Sequence, residues 1–258
     1  MGIINVTPDS FADGGRFNAA ADAVSHAAEL VAEGADILDV GGESTRPGAA
    51  GVTDDEELDR VIPVIERLAS EFDVPVSVDT SKTIVMRDAV AAGAQMINDV
   101  RALEAEGALT TVAGLGVPVC LMHMQGEPRS MQDAPVYDNV TDEVSNYLRG
   151  RIEASLAAGI DSRDIIIDPG FGFGKTLEHN LQLLRELDCL TGLGLPVLVG
   201  LSRKSMIGAM TGHDVGDRLA GSLALALLAA QKGAAIIRVH DVAPTVDVLR
   251  VLRRMTHE

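Results

Sequence analysis

With 258 residues, 21 basic against 38 acidic side chains and a formal charge of −17, the chain is long enough for one large domain and lacks the basic face that general nucleic-acid binding needs. Cys120 and Cys189 sit in apolar surroundings and read as reduced core or near-core thiols, which excludes a disulfide frame or a thiolate metal cage. The longest apolar run, 219–230, is about 12 residues against the roughly 20 that cross a bilayer, and no basic-plus-apolar leader opens the chain, so the expectation is a cytoplasmic protein without a membrane partner.

In chain order, residues 1–7 read as a short apolar strand with Asn5 near its end. Residues 8–18 are rich in turn formers and read as a mobile loop. Ala23, Ala27, Leu30 and Val31 give 19–33 a helical spacing, and Gly34 fits its C-cap. A second strand, 36–40, runs into a second mobile loop, 41–51. Thr53 and Glu56 form a capping-box signature for a helix with an apolar face of Leu58, Val61, Ile62, Ile65 and Leu68. Pro63 lies inside that pattern and predicts a kink or a late start.

The third strand, 74–78, ends on Asp79, and the helix 83–92 after it is stopped by Gly93. The fourth, 95–97, ends on Asn98 and Asp99, with a helix over 103–115. The fifth, 117–122, ends Met122-His123-Met124, and a polar loop leads to a helix over 140–158. Three isoleucines, 165–167, are stiff and β-branched without polar alternation, so they predict a strand buried on both faces. That strand delivers Asp168 to the loop Pro169-Gly-Phe-Gly-Phe-Gly-Lys175. The loop resembles a phosphate-binding P-loop, but the position that should hold the first glycine is Pro169, so the match fails. A helix over 178–190, a strand over 196–200 running into Leu201-Ser-Arg-Lys-Ser205, and a helix over 218–232 follow. The last of these is apolar nearly all round and predicts burial on more than one side, with a subunit interface as a second partner. A strand over 235–239 bearing Arg238, with His240 just beyond, and a helix over 242–255 close the chain.

Eight strand–helix alternations in this length have the rhythm of an α/β chain folded as a single-domain (β/α)8 TIM barrel. An open doubly wound sheet is the alternative, and no Gly-x-Gly-x-x-Gly fingerprint supports it.

The polar residues collect where strands end. Asn5, Asp39, Asp79, Asn98, His123, Asp168, Ser202 with Lys204, and Arg238 with His240 all fall on what would be the C-terminal rim of the barrel, where such enzymes place their sites. Asp79, Asn98 and Asp168 suit a flat heterocycle with several N–H groups, because a carboxylate accepts several hydrogen bonds; a plain helix N-cap is the competing reading of Asp79. Arg46, Lys204, Arg238 and His240 would make a local anion site on an acidic protein. His123 has no second His or Cys at ligand spacing, so a structural zinc site is not expected. A Mg²⁺ shared between Asn5, a carboxylate and a substrate phosphate fits better.

Several motifs carry a resemblance that runs end to end: Asn5-Val-Thr-Pro-Asp-Ser-Phe11, Gly41-Gly-Glu-Ser-Thr-Arg-Pro-Gly48, Ser77-Val-Asp-Thr-Ser81, Ile97-Asn-Asp-Val100, Leu121-Met-His-Met-Gln-Gly126, the loop 168–175, Ser202-Arg-Lys-Ser205 and Arg238-Val-His-Asp241. The chain resembles the dihydropteroate synthases, a pterin-binding barrel family. That resemblance implies condensation of 6-hydroxymethyl-7,8-dihydropterin diphosphate with 4-aminobenzoate, giving 7,8-dihydropteroate and pyrophosphate. It implies that Asp79, Asn98, Asp168, Lys204 and Arg238 contact the pterin, with Asp79, Asp168, Lys204 and Arg238 carrying the chemistry. It further implies a diphosphate site of Asn5, Arg46, Arg238 and His240, an aminobenzoate wall of Thr45, Pro47, Phe173 and Ser202, Mg²⁺ on Asn5 and Asp13, and a homodimer. Retention of Phe11, Thr45 and Pro47 implies sensitivity to sulfonamides.

The family usually carries residues ahead of the first strand, where this sequence begins at the strand itself. Two rivals share the pterin-binding barrel. Corrinoid-linked methyltransferases that use methyltetrahydrofolate have no need for the loop 44–48, the loop 202–205 or a diphosphate site. A copy that binds pterin without turnover would not need polar residues kept on every strand.

Overall fold

In the computed structural model, residues 1–7, 15–45, 48–127 and 129–256 are described. Eight strands alternate with helices: β1 (Gly2–Asn5), α1 (Gly15–Ala32), β2 (Leu38–Gly41), α2 (Asp54–Glu71), β3 (Val76–Asp79), α3 (Thr83–Ala91), β4 (Met96–Asp99), α4 (Ala108–Leu115), β5 (Val119–Met122), α5 (Val140–Ala157), β6 (Ile165–Asp168), α6 (Leu177–Arg185), α7 (Leu187–Thr191), β7 (Leu198–Val199), α8 (Ser205–Thr211), α9 (Leu219–Gln231), β8 (Ile236–Ile237) and α10 (Val242–Thr256).

The first six strands form a parallel sheet in sequence order, and β7 pairs in parallel with β8. Two single bridges join the pieces, Ile167 with Val197 and Gly2 with Val239. Across the second, Ile3 N donates to Val239 O at 3.2 Å and Val239 N donates to Met1 O at 3.0 Å. The sheet therefore closes on itself as a (β/α)8 barrel, and no open edge is left where the chain starts.

Alternation along each strand builds two cores. One side faces the helices: Ile4, Leu38, Val40, Val76, Val78, Ile97, Ile165 and Ile167 are buried with Leu30, Ile65, Leu68 and Leu148 from the surrounding layer. Each such side chain contributes roughly 1.5–3 kcal/mol when taken fully out of water. The other side fills the barrel. Met96, Cys120, Ile166 and Leu198, with Met1 and Ile236, form a separate apolar plug, and the next inward position toward the C-terminal end of these strands carries Asn98, Met122, Asp168, Gly200 and Arg238. The lower barrel is thus greasy and the upper barrel polar.

Five local differences from the sequence reading stand out. Helix α1 begins at Gly15, inside the stretch expected as a loop over 8–18. Helix α2 begins at Asp54, capped by Thr53 and Glu56 as a full capping box, so Pro63 does not delay it. The helix expected over 103–115 starts only at Ala108, because Ala102 and Leu103 take positive φ and Asp99 caps the turn through Leu103 N at 2.7 Å. The helix expected over 178–190 breaks at Glu186 into α6 and α7. Helix α9 buries Ser222, Leu225, Ala226 and Ala229 but leaves Leu219 and Leu228 exposed, so within the described residues it is buried on one side only. Both cysteines are free; Cys120 is in the barrel, while Cys189 is exposed and outside the core.

Candidate active site

The C-terminal ends of the strands deliver their polar residues to one place. Asp39, buried on β2, accepts through Oδ2 from Arg238 Nε at 2.6 Å and from Asn98 Nδ2 at 3.1 Å. The other arm of Arg238, Nη2, donates to Asp79 Oδ2 at 2.9 Å. The ends of β2, β3, β4 and β8 are thereby tied together by two donors, the Arg238 guanidinium and the Asn98 amide, and two carboxylate acceptors. Burial works against the charge of Arg238, but the Asp39 and Asp79 carboxylates hold it above its ordinary pKa. Burial pushes Asp79 up to about 7, against the pull of Arg238 and with the repulsion of Asp39 behind it.

On the opposite wall, Asp168 is buried at the end of β6 and accepts from Gly170 N at 2.7 Å. Its pKa is raised by burial, with Lys204 pulling the other way. Lys204 follows β7. Its ammonium donates to Phe171 O and lies 4.7 Å from the centre of the Phe173 ring, a cation–π distance. Burial lowers its pKa to about 8, with Asp168 opposing and Arg238 adding to the drop.

The glycines of the 168–175 loop are required by close approach. At Gly170 φ is +66°, and a Cβ there would stand 1.9 Å from His123 O. At Gly174, with φ +60°, a Cβ would meet Gln125 O at 2.3 Å. Lys175 holds the loop from inside. Its Nζ reaches Gly170 O at 3.0 Å, Phe173 O at 2.9 Å and His123 Nδ1 at 2.9 Å. Asn180 adds a clamp, accepting from Gly172 N at 2.7 Å and donating to Thr176 O at 2.6 Å. Burial, and then Lys175, lower His123 to about 3, so its ring is neutral and engaged in the wall.

The remaining candidates fall on the same rim. Asn5 is half-buried at the end of β1. Ser202 is buried; its Oγ lies 3.1 Å from His240 Nδ1 and accepts from His240 N at 3.2 Å. Thr45 and Phe173 are half-buried. Asp13, Arg46 and Pro47 lie outside the described residues, as do Phe11 and most of the 8–18 loop. Around the rim, Glu43 and buried Glu57 both take Lys82, and Arg203, at φ +58°, pairs with Asp241 through both guanidinium edges at 2.9 and 2.5 Å. Sequence reasoning placed Asp39 on the rim without a role and left Lys175, Asn180, Lys82 and Arg203 unassigned. The signal for Lys175 was present in the three glycines before it, because a loop that folds over itself aims carbonyls inward that need a donor.

A closed parallel barrel whose mouth has carboxylates and an amide tied to a guanidinium on one wall, and a carboxylate with an ammonium over an aromatic ring on the other, defines a site for a flat, N–H-rich ring beside an anion, the site of a pterin-binding enzyme. Residues 1–240 match the family model described as pterin binding enzyme, and the chain belongs to that family. It is 55% identical over 252 residues to the dihydropteroate synthase of Escherichia coli strain K12, covering 98% of this chain and 89% of that one. Two solved structures of the Xanthomonas albilineans enzyme are also similar. One, with 4-aminobenzoic acid, has a TM-score of 0.95 at 58% identity and covers 100% of this chain and 93% of that chain. The other, a complex with 7,8-dihydropteroate, has a TM-score of 0.92 at 55% identity with the same coverage.

Proposed function

We propose that the chain is a dihydropteroate synthase, a transferase of folate biosynthesis that joins 6-hydroxymethyl-7,8-dihydropterin diphosphate to 4-aminobenzoate. The observation that carries this reading is the tied set Asp39, Asp79, Asn98 and Arg238 facing Asp168 and Lys204 across one barrel mouth. It supplies acceptors for the N–H edge of the pterin and cations for the departing anion in the same cavity. Likeness over nearly the whole chain to named synthases supports it.

In this reaction the bond between the pterin methylene and the diphosphate oxygen breaks, and its electron pair leaves with the diphosphate. The amine lone pair of aminobenzoate forms the new C–N bond, and the amine gives up one proton. Asp79, Asn98 and Asp168 accept from the ring N–H groups, and the two carboxylates stabilise positive charge as it spreads into the ring. Arg238 lies against the ring and meets the leaving group, together with Asn5, Arg46 and His240. Lys204 bridges the ring and the Phe171 carbonyl. Thr45, Pro47, Phe173 and Ser202 form the aminobenzoate wall, where orienting an already nucleophilic amine is enough. The segments that join β1 to α1 and β2 to α2 would exclude water that would otherwise capture the cation.

Mg²⁺ fits the oxygen chemistry of this rim. Asn5 ends β1 on that rim and offers an amide oxygen, a hard ligand of the kind such an ion takes beside waters and substrate phosphates. Asn5 and Asp13 would hold it, and it would neutralise diphosphate charge. Leu219 and Leu228 on α9 and Val251 and Met255 on α10 leave apolar surface exposed on neighbouring helices, which favours a homodimer; light scattering that gives a monomer removes it. None of the helices among the described residues is long and apolar enough to cross a membrane, and the chain works in the cytoplasm on small-molecule substrates.

Incubating the purified chain with both substrates and Mg²⁺ and following dihydropteroate by mass spectrometry tests the reading. Product that needs both substrates supports it. Pterin binding without product supports the inactive-copy rival.

A further inference from the structure

Asp39 has no place among the substrate contacts, yet it is fully buried and is the shared acceptor of two of them. Its Oδ2 takes both Arg238 Nε and Asn98 Nδ2, while Oδ1 is buried without a hydrogen-bond partner among the described residues. A carboxylate with one unpaired oxygen in a barrel interior is a burden on stability, so packing does not explain it.

We infer that Asp39 is the positioning residue of the pterin site, fixing the plane of the Arg238 guanidinium and choosing which end of the Asn98 amide faces the ligand. Arg238 held by Asp79 alone would be tethered at one corner and free to turn. Held at Nε by Asp39 and at Nη2 by Asp79, its plane is set. The Asn98 argument is one of hydrogen-bond polarity. An ionised carboxylate only accepts, so Asn98 must spend its NH2 on Asp39 and turn its oxygen away from it. Asp79 has likewise spent Oδ2 on Arg238, which leaves Oδ1 for a ligand. Two neighbouring strands, β3 and β4, then present acceptors side by side, the pattern that selects a ring edge of N–H donors. Asp39 thus sets the specificity of groups it supports without touching the substrate.

The inference rests on the assignment of Arg238 and Asn98 to the pterin. The test is Asp39→Asn, which keeps the shape but can donate to the Asn98 oxygen and flip that amide. Asn98→Ala and Arg238→Ala are made in parallel, and KM for each substrate, kcat and Tm are measured. The expected result for Asp39→Asn is a folded protein in which kcat/KM for the dihydropterin diphosphate falls roughly 10–100-fold, the size of loss seen when the hydrogen-bond partners that orient metal ligands are removed, while KM for 4-aminobenzoate is unchanged. Should Asp39→Asn not fold, Asp39→Ala carries the same expectation. Wild-type pterin kinetics in Asp39→Asn, or equal rises in both KM values together with a lower Tm, would overturn the inference, the second outcome marking a structural role. If Asn98→Ala and Arg238→Ala also keep wild-type pterin KM, the site assignment fails and the inference falls with it.

Discussion

Lys175 Nζ lies 2.9 Å from His123 Nδ1, inside the barrel wall and beneath the loop that carries Phe173. Both groups are buried, and each is held toward its neutral form, Lys175 chiefly by burial and His123 by burial and then by Lys175. Lys175 Nζ also donates to two carbonyls of the same loop. Lys175 therefore fastens the loop to β5 and does not compete for the substrate anion. Lys175→Met leaves those carbonyls without their donor, and each buried orphan costs about 1–3 kcal/mol. The expected outcome is a lower denaturant midpoint and a weakened aminobenzoate KM, read by chemical unfolding and steady-state kinetics. An unchanged midpoint would show that the loop stands without it.

Gly170→Ala makes a harsher demand on the same loop. The new methyl would sit 1.9 Å from His123 O at φ +66°, and the carbonyl is backbone that cannot swing aside. A loss of more than about 2 kcal/mol in stability is expected, with Asp168 displaced because it caps Gly170 N. Comparison of unfolding curves for the two proteins measures it.

The pH profile follows from two buried groups with opposite needs. Burial raises Asp79 to about 7, so below that pH its carboxyl is protonated and lends no negative charge to the ring. Burial lowers Lys204 to about 8, so above that pH its ammonium is lost. Hence kcat/KM for the pterin diphosphate rises through about 7 and falls above about 8, since that ratio reports the free enzyme. The two limbs are macroscopic properties of a coupled site. Lys204→Arg, charged at all these pH values, should remove the alkaline limb and leave the acid one. An alkaline limb that persists in Lys204→Arg would assign it to another group.

Removal of charge from either wall should cost far more than removal of packing. Arg238→Ala unties Asp39 from Asp79, and Asp168→Ala removes the acceptor facing Lys204. Each is expected to lower turnover by on the order of 10²-fold or more. Wild-type turnover in either variant would contradict the assignment of both walls.

The barrel was legible because its signals are periodic. Strand-length apolar runs recur eight times, and Ile165, Ile166 and Ile167 announce a strand buried on both faces. The position of the site was legible too, since Asn5, Asp79, Asn98, Asp168 and Arg238 each follow or end such a run. The pairing between them was not. Asp39 and Arg238 are 199 positions apart, and nothing local to either names the other; only closure of the ring brings the second strand near the eighth. The break at Glu186 and the late start of α4 were hidden for another reason. Asp99, Ala102 and Leu103 make a turn with residues that also suit a helix, and a side-chain cap outweighs that small propensity. Ser202 reads in sequence as a rim residue beside Lys204, whereas its engagement with His240 depends on β7 and β8 lying together.

The most direct test of the synthase reading is pyrophosphate release by the purified chain with Mg²⁺ and dihydropterin diphosphate, with and without 4-aminobenzoate. Release that depends on the amine and matches dihydropteroate formed is the predicted result. Tight pterin binding with no amine-dependent release would contradict it.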